Sequence, residues 1–449
     1  MQKTNVLIIG GGPGGIIAAI TARKNNPGKK ILLLREKQKG VIPCGIPYIF
    51  CRLDSVEKNL MPDNPLDANK IDLLIGAAVK IDSKNKKILL KTKKEIAYEK
   101  LILATGSKPR IIPINGVNKK NVFVVEKDFD YLKKLREAIY KSKNIVIIGG
   151  GFIGVELADE LSAIKKDINI SIVERLGHCF GKSFDDDFSI AAEKILKEKG
   201  IKIYSNASVE EIGGRNKAEF VKINNKKILA DIVILCAGAK PNIELAQTTD
   251  IKIHEKKGIW VDEYMRTNVP DIFAVGDCAQ TKDFFTSQYL SIMLASTATT
   301  EARIAGANLY KLKLLRENKG TLGAFCTCVG DLVLASVGFN EKTANAQGFE
   351  IVVGIAEAPN HHPGTLPNTR QIKVKLIFSK SSGILLGGQV MGPETIIEMI
   401  NILALAIQKN TTIFEFDTLQ IATHPLLTAA PTVYPLINAA QSVLDKFMD

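Results

Sequence analysis

The stretch Asn5-Val6-Leu7-Ile8-Ile9-Gly10-Gly11-Gly12-Pro13-Gly14-Gly15 decides the fold. Residues 5–9 are an apolar run of strand length, and they pass without a break into Gly10-x-Gly12-x-x-Gly15. In such a loop the first glycine permits the tight turn, the second lets a pyrophosphate approach the backbone, and the third lets helix pack on strand. Residues 16–23 then read as a helix whose N-terminal amides and dipole favour phosphate. A second apolar strand, residues 31–34, leads to Glu36, 21 residues after Gly15. That spacing puts a carboxylate where an adenosine ribose offers its hydroxyls. Gly10, Gly12, Pro13, Gly14, Gly15 and Glu36 therefore form one expected dinucleotide site.

The pattern returns at residues 144–148, a strand that runs into Gly149-Gly150-Gly151-Phe152-Ile153-Gly154. A helix over 155–164 and a strand over 170–173 follow, and Glu174 stands 20 residues after Gly154. An acid here accepts from a free ribose 2′-hydroxyl and repels a 2′-phosphate, which favours NADH. Arg175 beside it keeps NADPH open, because an arginine can accept that phosphate. Gly149, Gly151, Phe152, Ile153, Gly154 and Glu174 are the second expected site. Further buried strands end in small residues that allow backbone to pass close to a ligand: 101–103 into Ala104-Thr105-Gly106, and 232–235 into Cys236-Ala237-Gly238. A third, 271–275, ends in Gly276-Asp277. Asp277 at the carboxyl end of a strand suits a chain of sugar-like hydroxyls; it also reads as a helix cap, since the apolar stretch 290–295 follows, and the two roles are compatible.

From about residue 321 the texture changes to strands with glycine turns (332–337, 372–378, 385–390) and a helix over 396–408. The fold class is α/β: two three-layer, Rossmann-like dinucleotide-binding domains plus a C-terminal α+β domain. The expected boundaries are 1–115 with 250–320 for the first domain, 116–249 for the second, and 321–449 for the third.

Between the two fingerprints lies Val41-Ile42-Pro43-Cys44-Gly45-Ile46-Pro47-Tyr48. Pro47 suits a first helical turn, so Cys44 is expected just before a helix. A thiol there feels unpaired N–H groups and the positive end of the helix dipole, which favours its thiolate. Such a sulfur is a nucleophile or redox partner; the plainer reading is a buried structural thiol. Cys51, seven residues on, would share a helical face with Cys44 and reads as packing. Cys236 and Cys278 read as core. Cys326-Thr327-Cys328 puts two thiols on one face of a strand, without the further ligands a metal site needs.

Seven cysteines in 449 residues, without regular spacing, are not a disulfide framework. No metal site is expected. Four residues precede the first strand, leaving no room for a targeting peptide, and no run reaches 18 apolar residues. A cytoplasmic protein without a membrane partner is expected. The net charge is +13, yet only eleven of the 60 basic residues are arginine. Scattered lysine of this kind solvates a surface and steers anionic small molecules; it does not build a nucleic-acid platform.

Taken together, two Gly-x-Gly-x-x-Gly loops, Ala104-Thr105-Gly106, Gly276-Asp277 and the C-terminal domain occur in an order that resembles the flavin-dependent pyridine nucleotide–disulfide oxidoreductases. The resemblance covers essentially the whole chain. It implies FAD on the first loop, with Glu36 on the ribose and Asp277 on the ribityl chain, a nicotinamide nucleotide on the second, and a homodimer. Cys44-Gly45-Ile46-Pro47-Tyr48 resembles the single-cysteine branch: coenzyme A-disulfide reductases, NADH oxidases and peroxidases, and sulfur or persulfide reductases. The two-cysteine branch carries Cys-x4-Cys at this point, whereas here Lys39 and Ile49 stand five residues either side. Three departures stand out. Pro13 occupies a loop where peroxidase and oxidase relatives place histidine. His361-His362-Pro363-Gly364 replaces a tyrosine pair before Pro-Gly. His424-Pro425 is similar to the His-Pro of the two-cysteine enzymes, but Thr428 and Ala429 stand where those have glutamate.

The resemblance implies electron transfer from NAD(P)H through flavin and Cys44 to a disulfide, persulfide or polysulfide, with a coenzyme A-based acceptor one candidate. His424 or His362 would protonate the leaving thiolate. Phe152 would gate the nicotinamide pocket, or simply pack, and Glu156, one turn on, would orient the nicotinamide amide. One alternative is an NADH oxidase in which Cys44 passes through sulfenic acid. Another is a non-enzymatic flavoprotein of the apoptosis-inducing-factor type, against which the Cys44 segment speaks.

Overall fold

The computed structural model describes residues 2–164, 167–290, 292–314 and 316–447. Contacts divide the chain into two compact units. The first comprises Met1–Ile112, Val124–Lys141 and Ala237–Thr321, and the second Pro113–Phe123, Ser142–Cys236 and Leu322–Asp449.

The first unit is built on a five-stranded parallel sheet in the order Ile272–Ala274, Lys100–Leu103, Val6–Ile9, Ile31–Arg35, Asp72–Ile75. Val6 pairs with Ile31 and Lys100, so the strand that feeds the first glycine loop is central. A central parallel strand is covered on both faces, which is why it reads as unbroken Val-Leu-Ile-Ile rather than as alternation. Val6, Leu7, Ile8, Leu33, Leu101 and Ile102 are fully buried. Each such side chain contributes about 1.5–3 kcal/mol relative to leaving it in water. The helices Pro13–Asn25 and Ala295–Asn308 pack closely on each other, through alanine and glycine: Gly306 approaches Ala18 and Thr21. A second sheet of four strands runs Gln2–Lys3, Glu95–Ala97, Lys87–Leu90, Ala78–Asp82. Residues 124–141 and 237–249, which lie inside the 116–249 segment of the sequence reading, pack within this unit.

In the second unit the parallel strands Ile232–Leu235, Asn144–Ile148, Asn169–Val173 and Lys202–Tyr204 lie side by side. The helix Phe152–Ser162 follows the central strand, repeating the strand–loop–helix arrangement of the first unit. The C-terminal part is a five-stranded antiparallel sheet in the order Phe325–Val329, Leu332–Gly338, Leu385–Gly392, Gln371–Ser379, Ile351–Pro359. The helix Ile397–Gln408 covers the strands Leu332–Gly338 and Leu385–Gly392, and Pro435–Gln441 covers Ile351–Pro359 and Gln371–Ser379. The α/β class and the α+β C-terminal part therefore hold as read. Among the described residues no helix is long and apolar enough to cross a membrane.

Candidate active site

The first glycine loop is shaped by contacts that exclude side chains. Gly10 has φ +120°, and a Cβ on it would lie 2.0 Å from the Ala104 carbonyl oxygen. A Cβ on Gly15 would lie 1.9 Å from the Gly10 carbonyl oxygen. Gly12 differs: a Cβ there would meet nothing within 4 Å. It caps the helix that begins at Pro13, in extended conformation (φ −80°, ψ −177°), and brings no side chain to the first-turn amides. An open face over uncommitted amides fits a pyrophosphate. Glu36 follows the strand Ile31–Arg35 and is exposed.

Two further turns border this loop. The Ala104 N–H donates to the Ile9 carbonyl (2.8 Å), the Thr105 hydroxyl to the Asn242 carbonyl (2.7 Å), and the Asn242 N–H to the Gly106 carbonyl (2.9 Å). Gly238 accepts from the Arg110 N–H. Asp277 lies in the 3₁₀ turn Gly276–Cys278 and accepts from the Ser107 hydroxyl (2.7 Å) and the Lys127 ammonium (3.1 Å). It does not cap the next helix, Ala295–Asn308, whose cap position is Leu294. Residue 291, within the apolar stretch 290–295, lies outside the described residues. Sequence reasoning named Asp277 but not Ser107, Lys127 or the buried Arg35. Arg35 passes beneath Gly11 and binds both oxygens of Asp63 (2.6 and 2.8 Å) and the carbonyls of Lys37 and Gln38.

Cys44 is exposed, at the second position of a 3₁₀ helix, Pro43–Phe50. The helix starts four residues before the expected point: Pro43 takes the first position and Pro47 lies inside. With about three residues per turn, Cys51, which caps the far end, no longer shares a face with Cys44. Both ends of this helix are held. At the near end Asn59 clasps Ile42, its amide donating to the Ile42 carbonyl (3.0 Å) while its own carbonyl accepts the Ile42 N–H (3.0 Å). A Cβ on Gly45 would stand 2.0 Å from Asn59 Oδ1, which explains the glycine after the cysteine. At the far end the Arg136 guanidinium donates to the carbonyls of Ile49 (3.2 Å) and Asp54 (2.9 Å) and to the Asp54 carboxylate, and the Tyr140 hydroxyl donates to the Phe50 carbonyl (2.8 Å). A cation there also complements the negative end of the helix. Burial pushes the thiols of Cys179 and Cys236 up to about 12 and that of Cys326 to about 11, and raises that of Cys278.

The second loop repeats the first: Gly149 has φ +116°, and Gly151 caps the helix Phe152–Ser162 with open space at its Cβ position. Ile153 and Gly154 form its first turn. Glu174 accepts the Gly150 N–H (2.6 Å) with one oxygen and the Leu176 N–H (2.7 Å) with the other. The Phe152 ring stacks on Phe325 (5.3 Å between centroids) and touches Phe180 and Phe184. Glu156, one turn on, accepts from the Thr327 hydroxyl (2.8 Å), and burial pushes its carboxyl up to about 7.

His362 and His424 meet around Thr428. The His362 ring donates from Nδ1 to the Thr428 carbonyl (3.0 Å), leaving Nε2 as an acceptor. The His424 N–H donates to the Thr428 hydroxyl (3.0 Å), and His424 Nδ1 accepts the Leu426 N–H (3.2 Å). The threonine that replaces the family's glutamate is thus the hub of the histidine loop. Among the described residues no group of three or more His, Cys, Asp or Glu could hold a metal ion.

Residues 4–302 match the model of pyridine nucleotide-disulphide oxidoreductases, and residues 325–433 that family's dimerisation domain. The chain belongs to the pyridine nucleotide-disulphide oxidoreductase family. Its cofactors are accordingly FAD and NADH or NADPH, and it is an NAD(P)H-dependent oxidoreductase. The chain is 31% identical to an NADH oxidase from Methanocaldococcus jannaschii and 30% identical to an NAD(P)H coenzyme A polysulfide/persulfide reductase from Pyrococcus horikoshii, over 98% of each chain in both cases. The solved structure of an NAD-dependent persulfide reductase from A. fulgidus superposes with a TM-score of 0.90 at 30% identity, over 99% of this chain and 83% of that one.

Proposed function

We propose that the protein reduces a sulfur–sulfur bond in a small anionic molecule, a disulfide, persulfide or polysulfide carried on coenzyme A, with Cys44 as its redox sulfur. The observation that supports this most is the placing of Cys44, exposed in the first turn of a helix held at both ends, while burial pushes up the thiols of Cys179, Cys236 and Cys278. The cap residue, Ile42, offers no side-chain acceptor to that turn, so the positive end of the helix acts on the sulfur.

In the reaction the Cys44 thiolate attacks one sulfur of the substrate, forming a mixed disulfide and expelling the other sulfur as a thiolate. His424 or His362 gives that thiolate its proton. Bound FAD would supply the two-electron relay from the nicotinamide, by which the mixed disulfide is cleaved, Cys44 regains its thiolate and the remaining half of the substrate leaves as a thiol. The loop amides from Gly10 to Gly15, with Glu36 and Asp277, hold that cofactor; Gly106 and Gly238 shape the turns beside it. The loop Gly149–Gly154 with Glu174 holds the nicotinamide nucleotide, while Phe152 lines its reactive end and Glu156 orients its amide. Residues 1–115 with 250–320, together with residues 124–141 and 237–249 that pack in the same unit, are the FAD segment, the rest of 116–249 is the nicotinamide segment and 321–449 the dimerising segment of a cytoplasmic homodimer.

The Methanocaldococcus relative supports a second reading, an NADH oxidase in which Cys44 is oxidised to sulfenic acid and then reduced again. Anaerobic turnover with coenzyme A disulfide, coenzyme A persulfide, polysulfide or peroxide, beside turnover in air alone, separates the two. NADH consumption that requires a sulfur acceptor and vanishes in Cys44→Ser supports the first; consumption in air that sulfur compounds do not increase supports the second.

A further inference from the structure

Beside the Gly276–Asp277 turn lies a carboxyl group that the scheme above does not use. Glu301, on the helix Ala295–Asn308, is 1% exposed. Its Oε2 accepts the Gly276 N–H at 2.7 Å, and its Oε1 is buried with no hydrogen-bond partner among the described residues. An ionised carboxylate left half-unsatisfied in such a place is expensive, whereas a neutral acid tolerates it. Resting on the FAD assignment but independent of the acceptor, we propose that Glu301 is a positioning residue for the flavin-binding turn, which holds Asp277 toward the cofactor while it is a neutral acid and releases FAD when it ionises.

The surroundings of Glu301 support this. The turn it binds contributes the Asp277 carboxylate and the Cys278 thiol, itself raised by burial. The Thr281 hydroxyl, like the Gly276 N–H, acts against the neutral form, and burial has to outweigh both. Lys127 reaches this region only through Asp277, to which it is paired. The charged residues of the packed helix Pro13–Asn25 are Arg23 and Lys24, at its far end. Arg23 is already committed to the carbonyls of Pro27, Lys29, Asn69 and Lys70, and near the turn that helix offers only Gly14, opposite Ala298. No cation is therefore placed to compensate a charge on Glu301 among these groups. Burial, the largest effect, raises its carboxyl to about 8, aided by the Asp277 charge and opposed by the Gly276 N–H and the Thr281 hydroxyl, which both favour the ionised form.

The linkage has a definite sign. FAD brings two phosphate charges and excludes water, both of which favour the protonated acid further. Loaded protein then binds a proton more tightly than empty protein, and by reciprocity FAD is held less tightly as pH rises past about 8.

The test follows FAD release from the loaded protein as the gain in flavin fluorescence between pH 6.5 and 9.5. Wild type is expected to release FAD about tenfold faster at pH 9 than at pH 7. Glu301→Gln keeps an acceptor for the Gly276 N–H but cannot ionise, so its release is expected to be slow and flat with pH. A pH-independent wild type, or an unchanged rise in Glu301→Gln, overturns the proposal while leaving the cofactor assignment intact. A protein that takes up no flavin overturns that assignment instead. Glu301→Ala serves as a second variant: fast release at every pH supports the positioning role, and wild-type release contradicts it.

Discussion

At the scale of single residues, the role proposed for Cys44 depends on Gly45 beside it. Cys44→Ser removes the only group proposed to form the mixed disulfide, so reduction of sulfur acceptors is expected to fall at least about 100-fold, measured anaerobically as NADH oxidation, with FAD content unchanged. Gly45 is constrained by Asn59, not by its own dihedrals: a methyl at 2.0 Å from Asn59 Oδ1 cannot be accommodated without moving the clasp on Ile42. Gly45→Ala is expected to lower stability by about 1–3 kcal/mol by thermal unfolding, and Gly45→Ala with Asn59→Ala to recover part of it. The backbone of both glycine loops was legible in the sequence because their spacing encodes backbone geometry. Asn59 was not, because a lone asparagine 15 residues downstream of Cys44 carries no pattern that says which carbonyl it meets.

Among elements, the 3₁₀ helix Pro43–Phe50 depends on a helix far away in sequence. Arg136 and Tyr140, one turn apart on the helix Phe129–Tyr140, take the carbonyls of Ile49 and Phe50 and the strand of chain beyond them. Arg136→Ala is expected to lower turnover about tenfold, with FAD retained and the rate of Cys44 alkylation altered, while Arg136→Lys, with fewer donors and no planar fork, recovers only part. Sequence periodicity located most of these elements but set the cysteine helix four residues too late, because Pro47 was given the first-turn place that Pro43 occupies. It could not show that the helix is 3₁₀, nor that its C-terminal end needs an arginine 86 residues after Phe50, since long-range partners leave no local trace. The placing of Asp277 in a 3₁₀ turn removes the helix-cap role that the strand-end motif alone allowed.

Across the molecule as a whole, the second unit carries a buried ionic centre that sequence gave no sign of. Lys375, 5% exposed, binds Asp185 (3.3 Å), Asp187 (3.1 Å) and Glu341 (2.7 Å), while Asp185 also accepts from the Gln389 amide. This joins the nucleotide-binding part of the unit to its antiparallel sheet. Lys375→Met leaves the buried Asp185 without its cation, while Asp187 and Glu341 keep part of their contact with water, so a loss of about 3 kcal/mol is expected in chemical denaturation. The lysines at 373 and 375 hold the Asp187 carboxyl below its usual range, against the opposing effect of burial. A depressed acid stabilises above its unfolded value and loses that contribution as pH falls through its folded one. Unfolding monitored from pH 6 downward is therefore expected to show a loss of stability beginning near pH 4, to which Asp128, Asp231 and Asp271 also contribute, and which is smaller in Asp187→Asn. Glu301 behaves in the opposite sense: its contribution is present below its unfolded value near 4.5 and lost as pH rises toward about 8, so Glu301→Gln is expected to melt higher than wild type at pH 9.

The proposed function rests on covalent chemistry at one sulfur, and intact-protein and peptide mass spectrometry after mixing with coenzyme A disulfide, first without and then with NADH, tests it most directly. One coenzyme A is expected on the peptide that carries Cys44, removed when NADH is added. An adduct on a different cysteine, or none while acceptor-dependent turnover persists in Cys44→Ser, would contradict it.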